Sequence, residues 1–147
     1  MSYAVPSDIR DAWGERIFLA LADEDADGQA DAARLAPALA AASAEIDGYV
    51  GARHRLPLPS RPEQLRRPCV DIAVYRLATN GSLVTEEMRQ RYEDAVAFLD
   101  KVAKGMVVLD VVDPNADPED ATAGQGARPI VSGGPERIFT RQGMSEL

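Results

Sequence analysis

Apolar positions recur three and four apart through most of the first 112 residues, the spacing that lines one face of an α-helix. The clearest run is Met88, Tyr92, Ala95, Leu99, Val102 and Met106. It predicts a helix capped at its start by Thr85 and ended by Gly105. A second run, Leu35, Leu39, Ala42, Ile46 and Tyr49, predicts a long alanine-rich helix from about Asp31 to about Arg55. Pro37 falls early in it and is expected to kink it or split off its first turn. Gly48 and Gly51 weaken its last turns, and Leu56-Pro57-Leu58-Pro59 cannot continue it. Cys69, Ala73 and Leu77 predict a third helix over about 63–78, with Pro68 inside that span and Asn80-Gly81 as its stop.

Two shorter elements precede these. Ser7 reads as an N-cap, Asp8 suits the helix dipole and Gly14 reads as a stop. Glu15 to Ala22, with Ile17, Phe18 and Leu21, predicts a second short helix. Met106 to Val112 is apolar and β-branched, the composition of a short strand or an extended packing segment. The expectation is therefore an all-α fold: a compact bundle of four to five antiparallel helices around Leu39, Ile46, Ala73, Leu77, Tyr92, Leu99 and Val102, with a short extended segment.

The pattern breaks after residue 112. Residues 113–136 carry Pro114, Pro118, Pro129 and Pro135 with few large apolar side chains, which reads as a linker. Apolar character returns in Arg137-Ile138-Phe139-Thr140-Arg141. The organisation expected is a helical domain, 1–112, followed by an extended arm, 113–147, that ends in a docking motif.

Charge and composition narrow the function classes. The formal net charge is −8 and the aromatic fraction 5%. That charge argues against nucleic-acid binding through a general basic surface, and the core must be built mostly from Ala, Leu, Val and Ile. Cys69 is the only cysteine of the sequence, so neither an intrachain disulfide nor a cysteine-based zinc site is available. The first residues lack the basic and apolar regions of a secretory signal, and no apolar run approaches the roughly 20 residues that span a membrane.

Candidate chemistry is sparse. Asp23, Asp25, Asp27 and Gly28 fit positions one, three, five and six of a calcium-binding EF-hand loop, and Asp31 fits position nine. Position twelve, which should supply a bidentate glutamate, is Arg34. The plainer interpretation is an acidic helix–helix loop whose Asp31 caps the next helix. His54, the only histidine, sits between Arg53 and Arg55 with no Ser or Cys motif beside it. Cys69 follows Pro68 on a helical face and fits a small core residue. No nucleophile–base pair or complete ligand set is visible, so the expectation is a non-enzymatic protein without cofactor or metal. Arg53, Arg55, Arg61, Arg66 and Arg67 crowd one quarter of an acidic chain, either as solvated charges or as one face of a subunit interface complementary to the acidic loop.

Taken in order, several stretches resemble Mu-like phage and prophage proteins of the head–tail connector type. They are Asp31…Ala38…Ala42-Ser43-Ala44-Glu45-Ile46-Asp47-Gly48-Tyr49-Val50 with Arg53 and Leu56-Pro57-Leu58; Cys69-Val70-Asp71-Ile72-Ala73-Val74-Tyr75-Arg76-Leu77; Arg91-Tyr92-Glu93-Asp94-Ala95 with Leu99 and Gly105; and Arg137-Ile138-Phe139-Thr140-Arg141. The resemblance implies a small helical adaptor in the virion neck, assembled in the host cytoplasm. It implies a homo-oligomeric, dodecameric ring below the portal protein, bridging capsid to a tail-side neck or tail terminator protein. DNA would pass through the lumen without specific binding, and no membrane is involved. The interface residues expected on this footing are Tyr49, Arg53, Arg55, Arg137, Ile138, Phe139 and Arg141. A calcium-responsive helical protein and a small regulatory module acting through its C-terminal peptide are the alternatives.

Overall fold

A computed structural model describes residues 2–23 and 27–111. Among these the fold is all-α, with five helices and no strand. They are α1 (Pro6–Trp13), α2 (Glu15–Ala22), α3 (Ala32–Val50), α4 (Arg66–Asn80) and α5 (Glu86–Ala103), with one 3-10 turn at Glu63–Leu65 before α4. All five lie in one compact unit, Met1–Asp113. No described helix is long and apolar enough to cross a membrane.

Helix α4 is the hub. From Pro68 to Val74, and again at Leu77 and Ala78, every residue is buried. A helix that is apolar nearly all round must be covered on all sides. Here α3 and α5 pack on it, and α1 and α2 complete the cover. Leu39, Ile46, Ala73, Leu77, Leu99 and Val102 are all buried in the shared core, and Tyr92 packs against it half-buried. Each fully buried Ile or Leu of this set contributes about 1.5–3 kcal/mol by leaving water. Cys69 lies in the same core, where burial raises its thiol pKa.

Helix ends follow local chemistry, and in places they differ from the expectation. The cap of α1 is Val5, with Ser7 inside the helix. Pro6 takes the first helical position, where its fixed φ is already helical and its missing N–H costs nothing. Asp8 Oδ2 then accepts the Val5 N–H at 2.8 Å. Gly14 alone joins α1 to α2, at a φ of 81° that disfavours any side chain. Helix α3 ends at Val50, five residues before Arg55, because Gly51 opens a series of tight turns. Leu56 folds back there: a Cβ on Gly51 would stand 3.2 Å from Leu56 Cδ1 and 2.9 Å from the Asp47 carbonyl oxygen.

Neither proline interrupts its helix. Pro68 is the third residue of α4, among the four whose N–H groups have no helical acceptor anyway. Pro37 deletes only the bond to the Ala33 carbonyl, and both residues are on the exposed face, where water serves that oxygen. The α3 helix therefore continues unbroken from Ala32, and its first turn is not split off.

Helix α5 opens as predicted, with Thr85 Oγ1 accepting the Met88 N–H at 3.2 Å. It closes in a Schellman motif. Met106 N–H donates to the Lys101 carbonyl at 2.9 Å, Gly105 N–H donates to the Val102 carbonyl at 2.9 Å, and Gly105 has φ 72°. This reversal takes Met106 out of the apolar stripe, and it is 71% exposed. The segment after it is no strand. It is an irregular extended stretch that inserts Leu109 into the core while Val108 stays out.

Candidate interaction surface

The C-terminal ends of α3 and α5 lie together. Arg53, in the turns after α3, donates from its Nη2 to the Lys104 carbonyl at 3.3 Å. Its guanidinium covers Gly105 so closely that a Cβ there would be 2.2 Å from Arg53 Cζ. A cation over the last carbonyls of a helix also complements the helix dipole. Arg53, expected at an interface, thus has a task within its own subunit. Tyr49 is half-buried against the core at the same end, and Arg55 is exposed in the following turn. The chain runs on from this end. Asp110 N–H donates to Gln64 Oε1 at 3.0 Å, close to the last described residue, Val111. Arg137, Ile138, Phe139 and Arg141 lie outside the described residues.

The other arginines of the basic quarter divide between partners and solvent. Arg66 reaches Glu63 at 2.5 Å and Asp8 at 3.3 Å. Arg67 Nε stands 3.8 Å from Asp71 Oδ2, and Arg61 is exposed. In the acidic loop, Asp23 accepts from the backbone N–H groups of Asp27 at 3.2 Å and Gly28 at 2.9 Å. Asp25, the third-position candidate of the calcium loop, lies outside the described residues. His54 is half-buried, its backbone N–H bonded to the Val50 carbonyl at 2.9 Å.

The stretch Glu45-Ile46-Asp47 turns out to be a clasp. Glu45 on α3 accepts from Arg76 on α4 at 2.6 Å and from the Tyr92 hydroxyl on α5 at 3.2 Å. Tyr92 stacks on Tyr75, ring centroids 4.4 Å apart and planes 15° from parallel. Asp47 accepts a short hydrogen bond from the Tyr3 hydroxyl. Burial, that hydrogen bond and the Asp47 charge all push the Tyr3 pKa up. Tyr3 N–H also donates to Ser43 Oγ at 3.3 Å, so the chain before α1 is stitched to α3 at two points. These residues gave the sequence much of its recognisable character, and their work is to hold helices together.

Two polar groups are left over among the described residues. Asp71 lies on the buried α4, its side chain only 7% exposed. Its Oδ1 and the indole Nε1 of Trp13 are both buried without a hydrogen-bond partner. The indole dipole still favours the charged carboxylate, although their contact falls short of hydrogen-bond geometry. Burial is the largest influence and raises the Asp71 pKa, with Arg67 and Arg91 opposing it and Asp94 adding to it. Asp71 borders a cleft of about 310 Å3 between α4 and α5, with Pro68, Ala95 and Phe98 as its apolar part and Arg67 and Asp94 on its rim. The sequence held a signal for it: a lone acid in the apolar run Cys69-Val70-Asp71-Ile72-Ala73-Val74, four residues after an arginine.

Comparison with known proteins fits this helical body. The family model described as Bacteriophage Mu, Gp36 matches residues 3–127. The Mu-like prophage FluMu protein gp36 of Haemophilus influenzae is 42% identical over 97 residues, 66% of this chain and 65% of that protein. Gene product J of Escherichia phage Mu is 34% identical over 143 residues, 97% of this chain and 96% of that protein. With the family match running through all five helices, the chain belongs to the phage Mu Gp36 family.

Proposed function

We propose that this chain is a structural virion protein, a head–tail connector that forms a ring beneath the portal and links capsid to tail. The observation that supports this most is the 34% identity to gene product J of phage Mu across nearly the whole length of both chains. A phage protein so matched, built as a small helical body with its helix faces cross-linked by internal ion pairs, suits morphogenesis. Ring subunits must keep their shape under load, and the Glu45–Arg76–Tyr92 clasp stiffens the three longest helices against one another. The net charge of −8 would give a lumen that repels passing DNA. The ring would be dodecameric, with the portal on one side and a tail-side neck or tail terminator protein on the other.

The test is deletion of the gene from an inducible phage or prophage genome. Electron micrographs of the lysate should show DNA-filled heads and separate tails, restored to joined particles by the gene supplied in trans. Native mass spectrometry of the purified protein, alone or with portal, should show a ring. Tailed particles at normal frequency from the deletion would overturn the proposal.

A further inference from the structure

We propose that the cleft beside Asp71 receives the Arg137–Arg141 segment of a second copy of this chain, Phe139 seated on the apolar part and an arginine donating to Asp71 Oδ1. The inference rests on the homo-oligomer proposed above.

Three observations lead to it. The first is Asp71 itself. Its Oδ1 is buried with no hydrogen bond closed, the Trp13 indole N–H beside it falling short of hydrogen-bond geometry, so a visiting donor that can reach it is favoured. The cations already nearby do not serve it. Arg67 Nε approaches the other oxygen, at 3.8 Å, beyond hydrogen-bond range, and its side chain is mostly in solvent. Arg91 is committed elsewhere, 2.5 Å from Glu87 and stacked 4.1 Å over the Trp13 ring.

The second is composition. Pro68, Ala95 and Phe98 offer an apolar bed, lined also by the carboxylates of Asp71 and the exposed Asp94 and by Arg67 and Arg91, whose charges already face the other Asp71 oxygen and Glu87. Arg137-Ile138-Phe139-Thr140-Arg141 presents the complementary set, two cations flanking two large apolar side chains. An aromatic anchor in a pocket with flanking charge pairs is the usual form of a peptide hot spot.

The third is position. Gln64 borders the same cleft and holds Asp110, so the chain leaves the described residues near it. From Val111 to Arg137 is a span of 26 residues, up to roughly 90 Å when extended. That reach is ample for the neighbouring subunit, and the same cleft on every copy would pass the arm from one subunit to the next.

The test uses a fluorescent peptide of residues 134–143 and, as receiver, the full chain carrying Ile138→Ala and Phe139→Ala, so that its own segment does not compete. Saturable binding by anisotropy is expected. Asp94→Lys in the receiver changes an exposed residue and should weaken binding about tenfold or more, as should Asp71→Asn, with the helical circular dichroism unchanged. A peptide with both arginines changed to Gln should lose as much. No binding up to about 1 mM peptide, or equal binding by the Asp94→Lys receiver, overturns the proposal. Unmutated chain that sediments as a monomer yet excludes the peptide would place the segment in its own cleft and overturn the assignment to a second copy. Peptide binding by a receiver whose unmutated parent forms no ring would count against the connector role alone; a ring without peptide binding would count against this cleft alone.

Discussion

At the scale of single residues, the polar groups that matter are those tying one helix to the next. Tyr3 is the sharpest case. It is buried, its hydroxyl donates to Asp47, and its backbone N–H rests on Ser43. Tyr3→Phe keeps the ring and removes the hydroxyl, and should cost about 1.5–3 kcal/mol, the worth of a hydrogen bond to a charged group. The pH dependence has a definite sign. A tyrosine whose pKa is raised in the folded state contributes stability that is complete below its ordinary value of 10.0 and is lost as pH climbs through the raised value. Urea melts from pH 8 to 11 should therefore show the wild type losing stability above about pH 10, with the Phe variant losing less over the same interval. Little of this was legible in the sequence. A tyrosine three residues into a chain carries no periodic signal, and nothing in the spacing pairs it with an aspartate 44 positions away. Glu45 and Arg76 stood out only through a resemblance, and Tyr92 through that and the apolar period, neither of which says what these residues touch. Asp71 was inside a quoted stretch too, and its meaning appears only once the fold closes over it.

At the scale of elements, the sequence was a good guide wherever one physical signal dominated. The five helices follow the apolar period of 3.6, and Thr85, Gly14 and Gly105 mark ends as their chemistry requires. Departures arose where two signals competed. Ser7 is a good cap by type, but Pro6 fixes the first helical position one residue earlier and Asp8 completes the cap from inside. Met106 keeps the apolar period, yet Gly105 has already reversed the backbone. Arg55 lies within reach of the α3 pattern, but Gly51 and the Leu56-Pro57 pair end the helix at Val50. Pro37 shows how position in a helix decides cost. It sits in the second turn on the solvent face, so a single bond is lost and the freed carbonyl is hydrated. Pro37→Ala should therefore restore that bond and raise the melting temperature, with a stabilisation smaller than the roughly 3 kcal/mol a proline costs in a helix interior. A fall in melting temperature would mean that the proline ring makes a packing contribution larger than the missing bond. The Pro37 ring does border a shallow surface depression with Tyr75 and Tyr92, which is where such a contribution would come from.

At the scale of the whole molecule, the described body is complete in its own packing. Its deepest residues include Ile9 of α1, Ile46 of α3, Ile72 of α4 and Leu99 of α5, and Leu109 is the last buried side chain among the described residues. Every described hydrogen bond of the clasp lies between Tyr3 and Tyr92. Truncation after Asp113 removes none of these groups. The shortened protein should keep near-wild-type circular dichroism and melt within about 1 kcal/mol of the full chain, since changes away from buried features seldom cost more. Function should part from folding at this cut. Residues 113–136 supply 24 positions, up to roughly 80 Å of reach, and Ile138 and Phe139 at their end would contribute on the order of 3–5 kcal/mol on a partner before ordering costs. A phage carrying the truncated gene should therefore make folded subunits that fail to enter connector complexes, and its lysate should contain unjoined heads and tails. The double change Ile138→Ala with Phe139→Ala should reproduce that defect at full chain length, which separates loss of the anchor from loss of the tether. In the ring proposed above, avidity would multiply a modest contact at each subunit, so even a partial loss of affinity should give a steep loss of complete particles. Joined particles at wild-type frequency from either variant would show that the helical body alone carries assembly.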